Sequence, residues 1–234
     1  MAQGILYVLH GRRNKVPQAN LHLLQELMQE LPQPQVIGFL EGEQQTLEAG
    51  LKQLQCQVNN VVVVPVLLFA ATHVRQDLQR RLKACQKSGV TITVLEPLAT
   101  TAAVFDFLKQ QLAKACRVLP RRPILLIAHG TPHFVEPYQQ LTNLAAQLQQ
   151  HLPVSVIAAN YIGPHQFAEL LGDQIEPVIV QSLFLTDGRI AGKIKHAVQQ
   201  QVPDALFLPT LENQLVVKQA ILERLAMIMV PIQV

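Results

Sequence analysis

Residues 4–14 read GILYVLHGRRN, an apolar run that stops on His10 and Gly11 and continues into Arg12 and Arg13. A short continuous apolar run bounded by turn residues is the pattern of a strand buried on both faces. Open parallel sheets gather their chemistry just outside the carboxyl ends of their strands. A titratable ring at this exit therefore stands where α/β proteins keep their functional groups.

Outward from this stretch, strand-like and helix-like patterns alternate. QVIGFL (35–40), VVVVPVLL (61–68) and TITVL (91–95) are further short runs with β-branched residues. The segments LHLLQELMQEL (21–31), TLEAGLKQLQ (46–55) and VRQDLQRRLKACQ (74–86) between them carry apolar residues at helical spacing, and VFDFLKQQLAKACRVL (104–119) adds a fourth helix. A βαβα series implies a parallel sheet covered by helices on both faces. PRRP (120–123) stops the fourth helix and reads as a linker.

The pattern then begins again. ILLIAHGTPHF (124–134) restates ILYVLHGRRNK (5–15), and VSVIAANYI (154–162) restates QVIGFLE (35–41). PVIVQSLFLTDGRI (177–190) restates VVVVPVLLFAATHV (61–74), and ALFLP (205–209) restates TITVLEP (91–97). A spacing of about 120 residues is too long for a solenoid repeat and suits a duplicated α/β domain. The expected fold is two tandem α/β domains, residues 1–119 and 120–234, each a small parallel sheet flanked by helices, with the active-site cleft between them.

Composition narrows the function. The chain has 234 residues, 49% of them hydrophobic, enough for packed cores. No apolar run approaches the roughly 20 residues of a membrane span, and the N-terminus lacks a basic region followed by a cleavable apolar segment. A cytoplasmic protein without a membrane partner is expected. The three cysteines, Cys56, Cys85 and Cys116, show no CxxC spacing and read as small hydrophobes. A net charge of +3, three tyrosines and no tryptophan give no support for nucleic-acid binding. Gly11 and Gly130 belong to no GxGxxG or Walker motif, so nucleotide binding is not supported either.

The two halves differ in what their strand ends carry. In the first, the strands lead to His10, to Glu41 and, through LLFAAT, to His73. In the second, His129 matches His10, the Glu41 position falls near Tyr161 or Ile162, and Arg189 stands at the His73 position. Two imidazoles and a carboxylate hold a divalent first-row metal with coordination positions left open, or accept protons near neutrality. Strand-end histidines also cap loops by hydrogen bonding, and spacing alone does not choose between these readings.

The segments ILYVLHGRR, FLE and VVVVPVLLFAATHVRQDL resemble the signature segments of the sirohydrochlorin chelatase family, the CbiX and SirB group, which inserts iron or cobalt into sirohydrochlorin. The likeness is clearest over residues 4–100. It implies that His10, Glu41 and His73 are the catalytic and metal-handling residues and that Arg13 is the motif arginine. Two departures stand out: Arg12 replaces a small Ser, and the apolar tail after Leu225 lacks a His-rich or Cys-rich extension.

The resemblance implies a lyase of sirohaem or cobalamin (porphyrin-type) biosynthesis, acting as a monomer with no permanently bound cofactor. Fe2+ or Co2+ is then a substrate together with sirohydrochlorin. Carboxylates around the tetrapyrrole rim call for arginines whose planar fork grips a carboxylate with two hydrogen bonds. Arg12, Arg13, Arg75 and Arg189 are the candidates, with Lys193 beside the last. Arg80 and Arg81, in mid-helix, read as a solvated face, and His22, His151 and His196 as exposed helix residues. His133 and His165 lie in second-half loops and stay outside the assigned set. A carrier of the same fold would bind without turnover. A phosphohistidine enzyme would need an arginine immediately before the histidine, which LHGRR lacks.

Overall fold

Five buried residues in succession, Ile5 to Leu9, make the first strand the spine of a sheet rather than an edge. The computed structural model describes residues 3–11, 18–69, 73–172 and 176–228, with the backbone alone for 73–75. In chain order the elements are β1 (Gln3–Gly11), α1 (Leu21–Glu30), β2 (Gln35–Glu41), α2 (Leu47–Leu54) and β3 (Asn60–Pro65). A π-type helical turn (His73–Leu78) runs into α3 (Gln79–Cys85), followed by β4 (Thr91–Val94), a 3-10 turn (Leu98–Thr100) and α4 (Ala102–Val118). Then come β5 (Ile124–Ala128), α5 (Glu136–Gln149), β6 (Val156–Asn160), α6 (Phe167–Leu171), β7 (Ile179–Ser182), α7 (Arg189–Gln201), β8 (Leu206–Leu208) and α8 (Leu215–Ala226).

Two four-stranded sheets result, both wholly parallel, ordered β2-β1-β3-β4 and β6-β5-β7-β8. The identical order is the structural form of the repeat read in the sequence. Third strands are shorter than their apolar runs: β3 ends at Pro65 and β7 at Ser182. One more bond follows each, from Val66 N–H to the Val8 carbonyl and from Leu183 N–H to that of Ile127. Beyond that the chain leaves the ladder and carries its apolar residues into the strand-end loop.

The compact units do not divide at the PRRP segment. One comprises Met1–Thr101 with Val217–Val234, the other Ala102–Val216. In the first, alternation along β1 sends Leu6 and Val8 into a cluster with Leu47, Leu51 and Leu54 of α2 and Leu82 of α3. Tyr7, on the opposite face, donates to Gln35 Oε1 at 2.7 Å, and Gln35 donates to the carbonyls of Met28 and Leu31, fixing α1 to β2. Burial pushes the Tyr7 phenol far above its ordinary pKa. Thr46 caps α2 by accepting from Ala49 N–H.

Helix α8 completes this unit. Arg224, 5% exposed, donates twice to the Pro97 carbonyl, at 3.0 and 2.6 Å, and once to Thr100 Oγ1. Lys218 pairs with Glu30 of α1 at 2.5 Å. In the second unit Leu125 and Ile127 pack with Phe167, Val180, Ile194 and Val198, and α4 joins through Gln111, which donates to buried Gln181. Cys116 is buried, Cys85 half-buried, and Cys56 is exposed within 3.4 Å of Lys87 Nζ, so the expectation of three small hydrophobes fails at Cys56. No helix among the described residues is long and apolar enough to cross a membrane.

Candidate metal-handling site

The site of the first unit starts from a glycine. Gly11, the last residue of β1, has φ 83° and pairs in register with Glu41, the last residue of β2. A Cβ built on Gly11 would collide with the Glu41 carbonyl. Only glycine allows both that approach and that backbone conformation. The tight turn leaves His10 and Glu41 side by side at the carboxyl edge of the sheet, with His10 Nδ1 3.8 Å from Glu41 Oε2. Their side chains are 50% and 43% exposed, so this pair holds little stability and is reached by solvent. An imidazole nitrogen and a carboxylate so placed offer two donors to one metal ion, or two acceptors for protons.

His73 opens the π-type turn after β3, on the same unit as this pair. Its side chain, and that of Arg75, lie outside the described residues, as do Arg12 and Arg13 altogether. Among the described residues no three His, Cys, Asp or Glu side chains gather as a metal site. The structure thus brings together two of the three expected ligands.

A third group bears on the same strand end and escaped the sequence reading. Arg81 of α3 is no solvated residue: its side chain is only 20% exposed. It donates to both carboxylate oxygens of Glu48, at 2.6 and 2.8 Å, to the Leu40 carbonyl at 2.7 Å and to Asp77 at 3.3 Å. The hydrogen bond from Arg81 holds the Glu48 carboxyl below its ordinary pKa. Asp77 is lowered chiefly by Arg80, which is 76% exposed and does fit the solvated reading. The available signal was Asp77 and Arg81 at i,i+4 spacing, though Leu40 and Glu48 lie 41 and 33 residues from Arg81.

The second unit repeats the scaffold without the carboxylate. Gly130, at φ 73°, presses on the Ile162 carbonyl as Gly11 presses on that of Glu41. Phe39 N–H bonds to the Gln45 carbonyl, and Asn160 N–H bonds to that of His165, which aligns Phe39 with Asn160 and Glu41 with Ile162. Of the two positions the sequence left open, Ile162 is the equivalent and Tyr161 is not. His129 Nδ1–H donates to the Gly130 carbonyl at 2.9 Å, fixing its tautomer, since a carbonyl only accepts. Arg189 opens α7 as His73 opens its turn, and is exposed, as is Lys193. His133 is exposed, and His165 stacks on Tyr138 with centroids 4.2 Å apart. His22, His151 and His196 are exposed.

Duplicated parallel sheets, one carrying a histidine–carboxylate pair at its strand-end edge, define a two-sheet α/β protein. A family model described as CbiX matches residues 4–115. A sirohydrochlorin cobaltochelatase of Sulfolobus acidocaldarius is 32% identical over 117 residues, and one of Sulfurisphaera tokodaii is 29% identical over 115 residues. Each alignment covers 49% of this chain and 94% of the relative. SirB from Bacillus subtilis, solved with Fe3+, has the same fold, with a TM-score of 0.83 at 24% identity over 97% of this chain and 95% of that one. The chain belongs to the CbiX family.

Proposed function

We propose that this protein is a sirohydrochlorin chelatase, a lyase that inserts Fe2+ or Co2+ into sirohydrochlorin on the way to sirohaem or cobalamin. The observation that carries the reading is the 32% identity to a sirohydrochlorin cobaltochelatase across 94% of that enzyme's length. The His10–Glu41 pair supplies the chemistry such an enzyme requires.

Metallation is slow in solution because the hydrated ion must shed water, the planar ring must distort, and two pyrrole N–H protons must leave. Holding a partly dehydrated ion against a distorted ring lowers that barrier mainly through orientation and strain. His10 and His73 hold the ion, and Glu41 orients them and completes the set. As the ion passes to the ring, two of these three groups accept the two protons.

The first repeat, residues 1–119, supplies the metal-handling groups, and the second, 120–234, contributes carboxylate contacts. Arg12, Arg13, Arg75 and Arg189 grip carboxylates at the rim, where a bidentate fork fixes orientation as well as charge. The protein works in the cytoplasm as a monomer, with no permanently bound cofactor and with neither nucleic acid nor membrane as partner. Purified protein mixed with sirohydrochlorin and Co2+ or Fe2+ tests the reading by absorbance. Metal-dependent conversion well above the protein-free rate is expected; conversion at the protein-free rate with both metals overturns it.

A further inference from the structure

Arg81 belongs to no motif by which the family is recognised here, yet three segments of the first unit converge on its guanidinium. Glu48 comes from the first turn of α2, Leu40 from the end of β2, and Asp77 from the turn that His73 opens. The Leu40 carbonyl and the Glu41 N–H are two ends of one planar peptide unit, so gripping the first orients the second. Glu41 is in turn pressed against Gly11, the neighbour of His10. Asp77, also touched by Arg81, lies four residues past His73 in the same turn.

We infer that Arg81 is a positioning residue for metal transfer, clamping the strand end that bears Glu41 to the helical turn that bears His73. The inference rests on the chelatase reading. The clamp acts on backbone and helix rather than on substrate, so Arg81 touches neither metal nor ring. Its fork is required because one planar group serves acceptors in three directions. A lysine at the same place would keep the charge and satisfy one or two of them. Groups that orient metal ligands from behind change affinity or rate by about 10- to 100-fold when removed.

The test compares full-length wild type, Arg81→Met, Arg81→Lys and Glu48→Gln in two assays on the folded fraction. The first titrates Co2+ alone and follows its ligand-field absorption, with His10→Ala as the control for site occupancy. The second measures insertion with sirohydrochlorin varied. Arg81→Met is expected to weaken Co2+ binding and lower kcat by about 10- to 100-fold, with a changed absorption band and an unchanged KM for sirohydrochlorin. Arg81→Lys is expected to recover part, and Glu48→Gln, which keeps the arginine, to shift both readouts the same way by less than about tenfold. If Arg81→Met fails to fold, Arg81→Lys and Glu48→Gln decide.

Lowered thermal stability with Co2+ binding, band and kcat unchanged overturns the inference and leaves Arg81 a structural clamp. A wild type that binds Co2+ through His10 but inserts nothing overturns the chelatase reading alone. The metal titration of the variants then decides the role of Arg81. A wild type whose Co2+ spectrum is unaffected by His10→Ala overturns both.

Discussion

Gly11 and Glu41 meet backbone to backbone: a Cβ on the glycine would overlap the glutamate's carbonyl oxygen. This contact lets β1 turn away while His10 stays beside the carboxylate. Gly11→Ala must shift backbone and also adopt φ 83°, which costs at least about 1–3 kcal/mol. Gly130 has the same relation to Ile162, where no carboxylate is at stake. Denaturant titration should show both variants destabilised. Co2+ binding to the folded fraction should fall only in Gly11→Ala.

The two strand-end histidines should separate in activity. His10 lies 3.8 Å from a carboxylate, whereas His129 spends its Nδ1–H on a neighbouring carbonyl and faces Tyr161 with ring centroids 6.3 Å apart. His10→Ala is expected to lose nearly all insertion activity, by about two orders of magnitude or more. His129→Ala should retain a substantial part. Comparable losses in kcat/KM would show that the second unit takes part in the chemistry.

Stability at acid pH should carry the signature of the Arg81 cluster. Glu48 and Asp77 have folded pKa values below their ordinary 4.5 and 3.8. A carboxylate depressed on folding contributes stability that is fully present above its unfolded pKa and is lost as pH falls through the folded one. The unfolding free energy should therefore decline between about pH 5 and pH 2, more steeply in wild type than in Arg81→Met. Asp77 keeps Arg80 in that variant, so its share of the slope should persist. Exposure of these side chains keeps the difference small, and added salt should shrink it further. Parallel acid limbs in wild type and variant would rule out the coupling.

The sequence revealed most where physics is local. Consecutive apolar residues at 5–9 and 124–128 marked the two central strands within a residue or two, and their repetition implied two sheets of like order. Glu41 stood out because β2 ends in a charge after an unbroken apolar run. Its second-half partner stayed ambiguous until the Gly130–Ile162 contact set the register, since the closing bond from Asn160 to His165 spans one residue fewer than the equivalent bond from Phe39 to Gln45. The pairing of α8 with the first unit was not legible. It depends on Arg224 reaching the Pro97 carbonyl across 127 residues, and no local pattern encodes such a meeting. Arg81 was misread for the same reason: helical spacing places it beside Arg80, but Glu48 and Leu40 reach it only after α2 and α3 pack together.

That latch is itself testable. Replacing Arg224 by Met keeps most of the aliphatic volume and removes the donors to Pro97 and Thr100. The Pro97 carbonyl then stays buried without its partner, which costs about 1–3 kcal/mol. Unfolding should occur at lower denaturant with an unchanged slope.

The last expectation concerns the arginines proposed to hold the substrate. Arg189 is exposed at the first position of α7, whereas Arg80 spends its charge on Asp77 at 2.5 Å. If Arg189 grips a rim carboxylate, Arg189→Ala loses a charge-assisted contact of about 1.5–3 kcal/mol, raising KM for sirohydrochlorin by roughly one to two orders of magnitude. The effect on kcat should be smaller, because the reacting nitrogens lie at the ring centre while the arginine holds the edge. Lys at position 189 should recover only part, since it keeps the charge and loses the two-pronged geometry. High salt should weaken substrate binding more in wild type than in Arg189→Ala, because screening acts on a contact the variant already lacks. Arg80→Ala serves as the matched control and should leave KM within about twofold. Equal changes in KM for the two variants would mean that the kinetics report net surface charge, and Arg189 would then have no place in the substrate contacts.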